Sequence, residues 1–194
     1  MNLSDFRNMQ RRVERAMDAV TKNDSADGFT QALNSHSDEK LVVKGMKSPE
    51  ELEDDLLSLC VWIWSMKDYL KTLVSNAGGD PKKIEEIAND NDALAIVADL
   101  ANRAKHGELT KSRTQNKDFA KLAGVGFKVN QTALNSIAFG ESEVTMDVGK
   151  PNDATLTARI EFDANNRDSI DDAFGVIGEA MTVWENEAYP LIGA

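Results

Sequence analysis

Four side chains able to do chemistry, Asp99, Asn102, Arg103 and His106, fall on one stripe of the chain. They belong to residues 92–106, closed by Gly107, where Leu94, Val97, Leu100, Ala101 and Ala104 recur at helical spacing. At about 100° per residue the apolar set takes one arc and the four polar residues share the opposite side. An acid, an amide, a guanidinium and an imidazole so grouped have the parts for acid–base chemistry without a metal. The same pattern also describes a solvated outer face. The spacing leaves both readings open: a solvated face, or a polar site facing a cleft or a second subunit.

The charge distribution adds candidates around that stripe. Residues 103–121 hold six basic residues, among them Lys105, Lys111 and Arg113, against two acids, so this window is +4 in a chain of −11 and the remainder carries −15. Such asymmetry can concentrate an anionic ligand locally while the rest of the surface repels it, although a solvated loop has the same composition. The total charge argues against a generic nucleic-acid binder, which needs a broad basic footprint. The second histidine, His36, sits among Asn34, Ser35, Ser37 and Asp38 and reads as exposed and inert. Cys60, the one cysteine, lies among Leu59, Val61 and Ile63 and reads as a buried small hydrophobe rather than a nucleophile. With two histidines and one cysteine no converging ligand set is specified. Gly124-Val-Gly126 is too short for a phosphate or dinucleotide fingerprint, and no nucleophile elbow occurs. No cofactor or metal is expected.

The elements that must position these residues follow from capping and periodicity. Ser4 is a plausible cap for a helix to about Thr21, with Phe6, Met9, Val13, Met17 and Val20 inward and Arg7, Arg11, Arg12 and Arg15 outward. Residues 23–37 read as a loop with one short helix around Phe29, Ala32 and Leu33. Ser48-Pro49-Glu50-Glu51 supplies a capping serine, a proline in the first turn and a glutamate three residues on. The helix it opens runs to about Ser75 before Gly78-Gly79, and its middle is apolar almost all round, as in the central helix of a bundle. Asp68 is the one acid in that middle stretch, and a carboxylate there calls for a cation or donor, with Arg103 or His106 the expected partner. Asp80-Pro81 opens a short helix to Ala88.

Beyond Gly107 the period changes. Residues 127–139 are mixed and can hold a strand. Residues 143–148 alternate, and 154–162 alternate cleanly, Ala154, Leu156, Ala158, Ile160 and Phe162 against Thr155, Thr157, Arg159 and Glu161. Joined by Gly149-Lys150-Pro151-Asn152-Asp153, the two are expected to form an antiparallel hairpin under a final helix that runs from about Asp168 to before Pro190. The expected fold class is α+β, mainly α: a helical bundle with a small antiparallel sheet inserted before the C-terminal helix. A length of 194 residues suits a single domain, with a bundle over 1–125, a sheet over 126–163 and a packing helix over 164–194. No run of about 18 apolar residues suggests a membrane span. The charged first twenty residues do not read as a secretory signal, so a cytoplasmic location is expected.

At Ala101-Asn102-Arg103-Ala104-Lys105-His106 the chain resembles the HEPN superfamily of small helical bundles, many of them ribonucleases of toxin–antitoxin, CRISPR and phage-defence systems. The family signature is an arginine, usually a polar residue next, then a histidine near the end of a helix in a dimeric bundle. With His106 on the family histidine, Asn102 takes the polar position and Ala101 the arginine position. Arg103 or Lys105 would then have to hold phosphate, or the site is degenerate. The similarity covers residues 48–107. Together with Trp64, Lys67, Asp68 and Tyr69, this pattern is also similar to bacterial mobile-element proteins of unassigned function. The resemblance implies a homodimer and metal-independent RNA cleavage, with His106, Arg103 and Asn102 catalytic and Lys105, Asp99, Asp68, Lys111 and Arg113 binding or orienting. The competing expectation is a non-catalytic protein-interaction component of a defence or anti-defence system, and small-anion binding at the basic island is a third.

Overall fold

The computed structural model describes residues 2–33, 38–114, 117–163 and 167–193. The fold is α+β and mainly α, and it is built around one long helix, α2 (Pro49–Asn76, 28 residues). Its start is the expected capping box: Ser48 Oγ accepts from the Glu51 N–H at 3.1 Å and the Glu51 carboxylate accepts from the Ser48 N–H at 2.7 Å. Because α2 is apolar nearly all round, it buries Leu52, Leu56, Leu59, Cys60, Ile63, Trp64, Met66, Leu70, Leu73 and Val74 against several neighbours at once. Those neighbours are α1 (Leu3–Thr21), α3 (Lys82–Asp90), α4 (Asp92–His106) and α5 (Ala173–Val183).

Helix α1 is capped two residues earlier than its sequence suggested. Asn2, not Ser4, accepts from the first free N–H groups, and Asp5 reciprocates. Helix α4 has the expected bounds, with Asn91 as cap and Gly107 at φ 76° as terminator. It runs antiparallel to α2, since Ala104 near its end lines the same surface groove as Asp54, Leu57, Val61 and Trp62. Residues Ala93 to Ala101 are buried without a break, so α4 is a core helix for two and a half turns and amphipathic only at its C-terminal end. Ala104, expected inside, is exposed. Helix α5 starts at Ala173 under an Asp172 cap rather than near Asp168, then widens into a π turn at Trp184–Ala188. Trp184 is wholly buried there and donates its indole N–H to the Ile63 carbonyl at 3.3 Å.

The strands depart most from expectation. Residues expected to be loop with a short helix form β1 (Phe29–Ala32), paired antiparallel with β2 (Lys40–Lys44). Both strands, and most of β3 (Ala120–Lys128), lie inside residues 1–125, the stretch expected to form the helical bundle. The hairpin expected between 143–148 and 154–162 does not form. Strand β5 (Glu143–Val148) pairs instead with β4 (Leu134–Phe139) on one side and, in parallel, with β2 on the other. Strand β6 (Thr155–Phe162) pairs with β3. Alternation fixes which face of a strand is apolar but not its neighbour, and the three-residue connection Gly140-Glu141-Ser142 closes the tighter hairpin. The result is two sheets, one of order β1-β2-β5-β4 and one of β3-β6.

Each sheet serves a different core. The β3-β6 pair joins the helical core through Ala120, Ala158 and Ile160, under α5 as expected. The four-stranded sheet has its own small cluster, Val43, Met46, Ala133, Val148 and Ala154, with Phe29 edge-on to Phe127 at 5.7 Å. No helix of the described residues is long and apolar enough to cross a membrane.

Candidate functional site

The polar stripe of α4 divides at its middle. Asp99 is fully buried, not solvent-facing. Its carboxylate accepts from Ser112 Oγ at 2.6 Å, the Arg113 N–H at 3.1 Å and the Ala120 N–H at 3.2 Å. A buried carboxylate needs such donors, and here they come from the segment that follows the helix. The network continues outward. Ser112 Oγ lies 2.8 Å from Thr114 Oγ1, which accepts from the Asp118 N–H at 2.8 Å. Asp99 is therefore the point at which α4 holds the segment leading into β3.

Arg103, one turn on, completes the same clamp. Its Nε donates to the Ala120 carbonyl at 2.8 Å, its Nη2 to the Phe119 carbonyl at 3.1 Å, and it forms an ion pair with Asp163. Phe119 sits at φ 54°, a left-handed conformation uncommon for an aromatic residue, so the guanidinium caps a turn the chain would not choose alone. The Arg103 guanidinium also holds the Asp163 carboxyl below its ordinary range, against slight burial and with help from Lys121. Arg103 thus has its Nε and Nη2 donors engaged by the protein itself, while Nη1 has no partner among the described residues.

The remaining catalytic candidates stand apart. Lys105 and His106 are exposed and Asn102 is half-buried, and none of the three side chains bonds to a described residue. Asp68, expected to meet Arg103 or His106, does neither: its side chain is 72% exposed and its nearest cation is Lys67, at 3.8 Å. Asp68 lies on the outer face of α2, Arg103 is used elsewhere, and His106 stands exposed at the end of α4. Lys111 is exposed and without a partner among the described residues. His36 lies outside the described residues.

Arg113 enters a second cluster that its neighbours in sequence did not announce. Its guanidinium lies 4.8 Å from the centre of the Trp64 ring, with Lys67 Nζ at 4.7 Å from the same ring. It donates to Asn89 Oδ1 at 2.9 Å and reaches Glu85 at 3.3 Å. Glu85 also takes Lys71 at 2.7 Å and Lys67 at 3.2 Å. Burial would raise the Glu85 carboxyl, but the two ammonium groups override it and hold it at about 2. Half of the basic island, three residues of six, is consumed by acids that sequence distance concealed: Arg103 by Asp163, Arg113 by Glu85, Lys121 by Glu161 and Asp163. Cys60 is buried, and that burial pushes its thiol up to about 12, which removes it as a nucleophile. Among the described residues no group of three or more His, Cys, Asp or Glu converges to hold a metal ion.

What sequence reasoning missed lies on the four-stranded sheet. Phe139 is 81% exposed and Ile137 45%, both on β4. The register places them in rows with apolar neighbours, Phe139 with Val144 and Leu41, Ile137 with Met146, Val43 and Phe29. The second core covers the Val43 and Phe29 side of this face and leaves the Phe139 corner open. A signal was present: residues 129–140 form the longest run in the chain without a charged residue. Comparison with protein-family models, curated proteins and solved structures gives no match for this chain.

Proposed function

We propose that this chain is a non-catalytic interaction protein on an HEPN-like helical core, and that its partner face is the open apolar side of the four-stranded sheet. One observation carries the proposal: the cation that would hold a phosphate, Arg103, is spent on the Phe119 and Ala120 carbonyls and on Asp163. A ribonuclease of the expected kind needs a histidine held by an orienting group and a cation free for phosphate. Asp99 and Asp68, the two carboxylates available to orient His106, are buried under the following segment and turned to solvent, respectively. The net charge of −11 repels RNA further. The resemblance adds a setting, a bacterial defence, anti-defence or mobile-element system, in which such a fold acts by binding protein.

Metal-independent RNA cleavage is the competing reading, and exposed His106 beside Lys105 is what favours it. The test is incubation of the purified chain with single-stranded RNA in the presence of a chelator. No cleavage above buffer is expected. Cleavage that disappears in His106→Ala would overturn the proposal.

A further inference from the structure

We infer that β4 is a self-association edge, through which two copies join antiparallel into one eight-stranded sheet with Ala138 on the two-fold axis. The inference rests on the interaction reading above and places a second copy of this chain along the open edge of that face.

Among the described residues no strand lies beyond β4, and Asn135 to Gly140 are all exposed. The Gly140 N–H bonds to the Glu143 carbonyl at 2.7 Å, so Gly140 faces β5 across the end of the hairpin. In an antiparallel pair, backbone groups point alternately toward the neighbour and away. Ala138 and Ser136 therefore also face β5, while Ile137 and Phe139 turn their N–H and C=O groups to the open edge. These are also the two large exposed apolar side chains of the strand.

Natural sheets blunt such an edge with lysine, proline, a bulge or a covering element. Strand β4 has neither lysine nor proline, and its single irregularity falls at its start, between Leu134 and Ser136. The regular part is residues 136–140, and its centre is Ala138. Antiparallel pairing about Ala138 sets Ile137 opposite the partner's Phe139 and Phe139 opposite the partner's Ile137. Outward N–H groups then meet outward carbonyls in two reciprocal pairs, and each aliphatic side chain meets an aromatic one.

The register about Ala138 is self-complementary, which selects a second copy as the occupant, and charge restricts where two copies can touch. Two chains of −11 repel each other over most of their surfaces, and contact is least opposed where neither carries charge. The charge-free run 129–140 supplies that contact on both sides of the axis, and Glu141 at its end meets Asn135 rather than an acid. An edge this short falls below the roughly 1,200 Å² of a standard interface, so the dimer belongs to the weak, concentration-dependent class.

The test combines mass with register. Light scattering should give a mass that rises from 21.3 kDa toward twice that value as concentration increases through the micromolar range. Ile137→Lys, at an exposed position, should keep the chain folded and hold it monomeric. Under mild oxidation Ala138→Cys should form a disulfide dimer. Residues opposed at a non-hydrogen-bonded antiparallel position sit about 4.5 Å apart, within the span of a disulfide. Native Cys60 is buried and will not compete. Thr30→Cys, on the far edge strand β1, should remain monomeric.

A chain that stays at 21.3 kDa up to millimolar concentration without an Ala138→Cys disulfide would overturn the inference. So would a dimer indifferent to Ile137→Lys, one captured through Thr30→Cys, or a monomer that takes a foreign peptide strand on β4. None of these variants touches residues 99–106, so RNA cleavage assayed on the same samples tests the non-catalytic reading separately.

Discussion

At Arg103 one side chain joins the end of α4 to the entry of β3. The guanidinium satisfies two main-chain carbonyls and a carboxylate at the entry to β3. Its removal takes a charged donor from all three acceptors, leaves Asp163 with Lys121 alone as its cation, and frees the left-handed turn at Phe119. Arg103→Ala is expected to cost about 2–3 kcal/mol, the scale for losing a charge-assisted bond with partners left behind. The drop in melting temperature, roughly 4–10 °C for a chain of this size, can be read by scanning calorimetry. Arg103→Lys should recover only part of it, since an ammonium cannot span the two carbonyls and the carboxylate with a planar fork. His106→Ala should behave oppositely: an exposed side chain with no partner among the described residues changes stability by less than about 0.5 kcal/mol. A large loss at His106 and none at Arg103 would invert the roles assigned to them.

At the scale of elements, Glu85 ties three pieces together: its own helix α3, α2 through Lys67 and Lys71, and the segment after α4 through Arg113. The folded carboxyl sits at about 2, below its ordinary 4.5. A depressed acid stabilises the fold at pH values above the unfolded pKa, and the contribution disappears as pH falls through the folded one. Glu85→Gln should therefore cost about 1–3 kcal/mol at pH 7. The gap to wild type should close between pH 4.5 and pH 2 in urea titrations. A gap that persists unchanged at pH 2 would assign the loss to packing rather than to the ion pairs. The same scale shows what pattern reading does well. The capping box of α2, the terminating Gly107 and the apolar girth of α2 are local signals, and those helices lie where the signals placed them. Strand pairing is not local. The alternation of β6 correctly marks its inward face, yet its partner β3 comes from about thirty residues upstream.

For the whole molecule the controlling quantity is a charge of −11 set against one neutral edge. Self-association through β4 works against long-range repulsion, which salt screens as the Debye length shrinks from about 10 Å at 0.1 M toward 3 Å at 1 M. Raising sodium chloride should strengthen the dimer in sedimentation velocity measurements. A contact built on the basic residues around Lys105 and Lys111 would weaken over the same range, so the sign of the salt effect locates the interface.

The sequence by itself determined the mainly helical α+β class, the span of α2 and α4, the burial of Cys60 and the inward face of β6, because capping, periodicity and apolar girth act between residues a few positions apart. Tertiary structure alone decided the fate of the polar stripe. Helical spacing put Asp99, Asn102, Arg103 and His106 on one side of α4, but only the contacts of residues 112–113 and 119–120 with that side buried Asp99, occupied Arg103 and left His106 outside. Likewise Asp163 reaches Arg103 from sixty residues away. Which strand ends a sheet, and so keeps unpaired backbone and exposed Phe139, depends on how distant segments pair, and no local spacing encodes that choice.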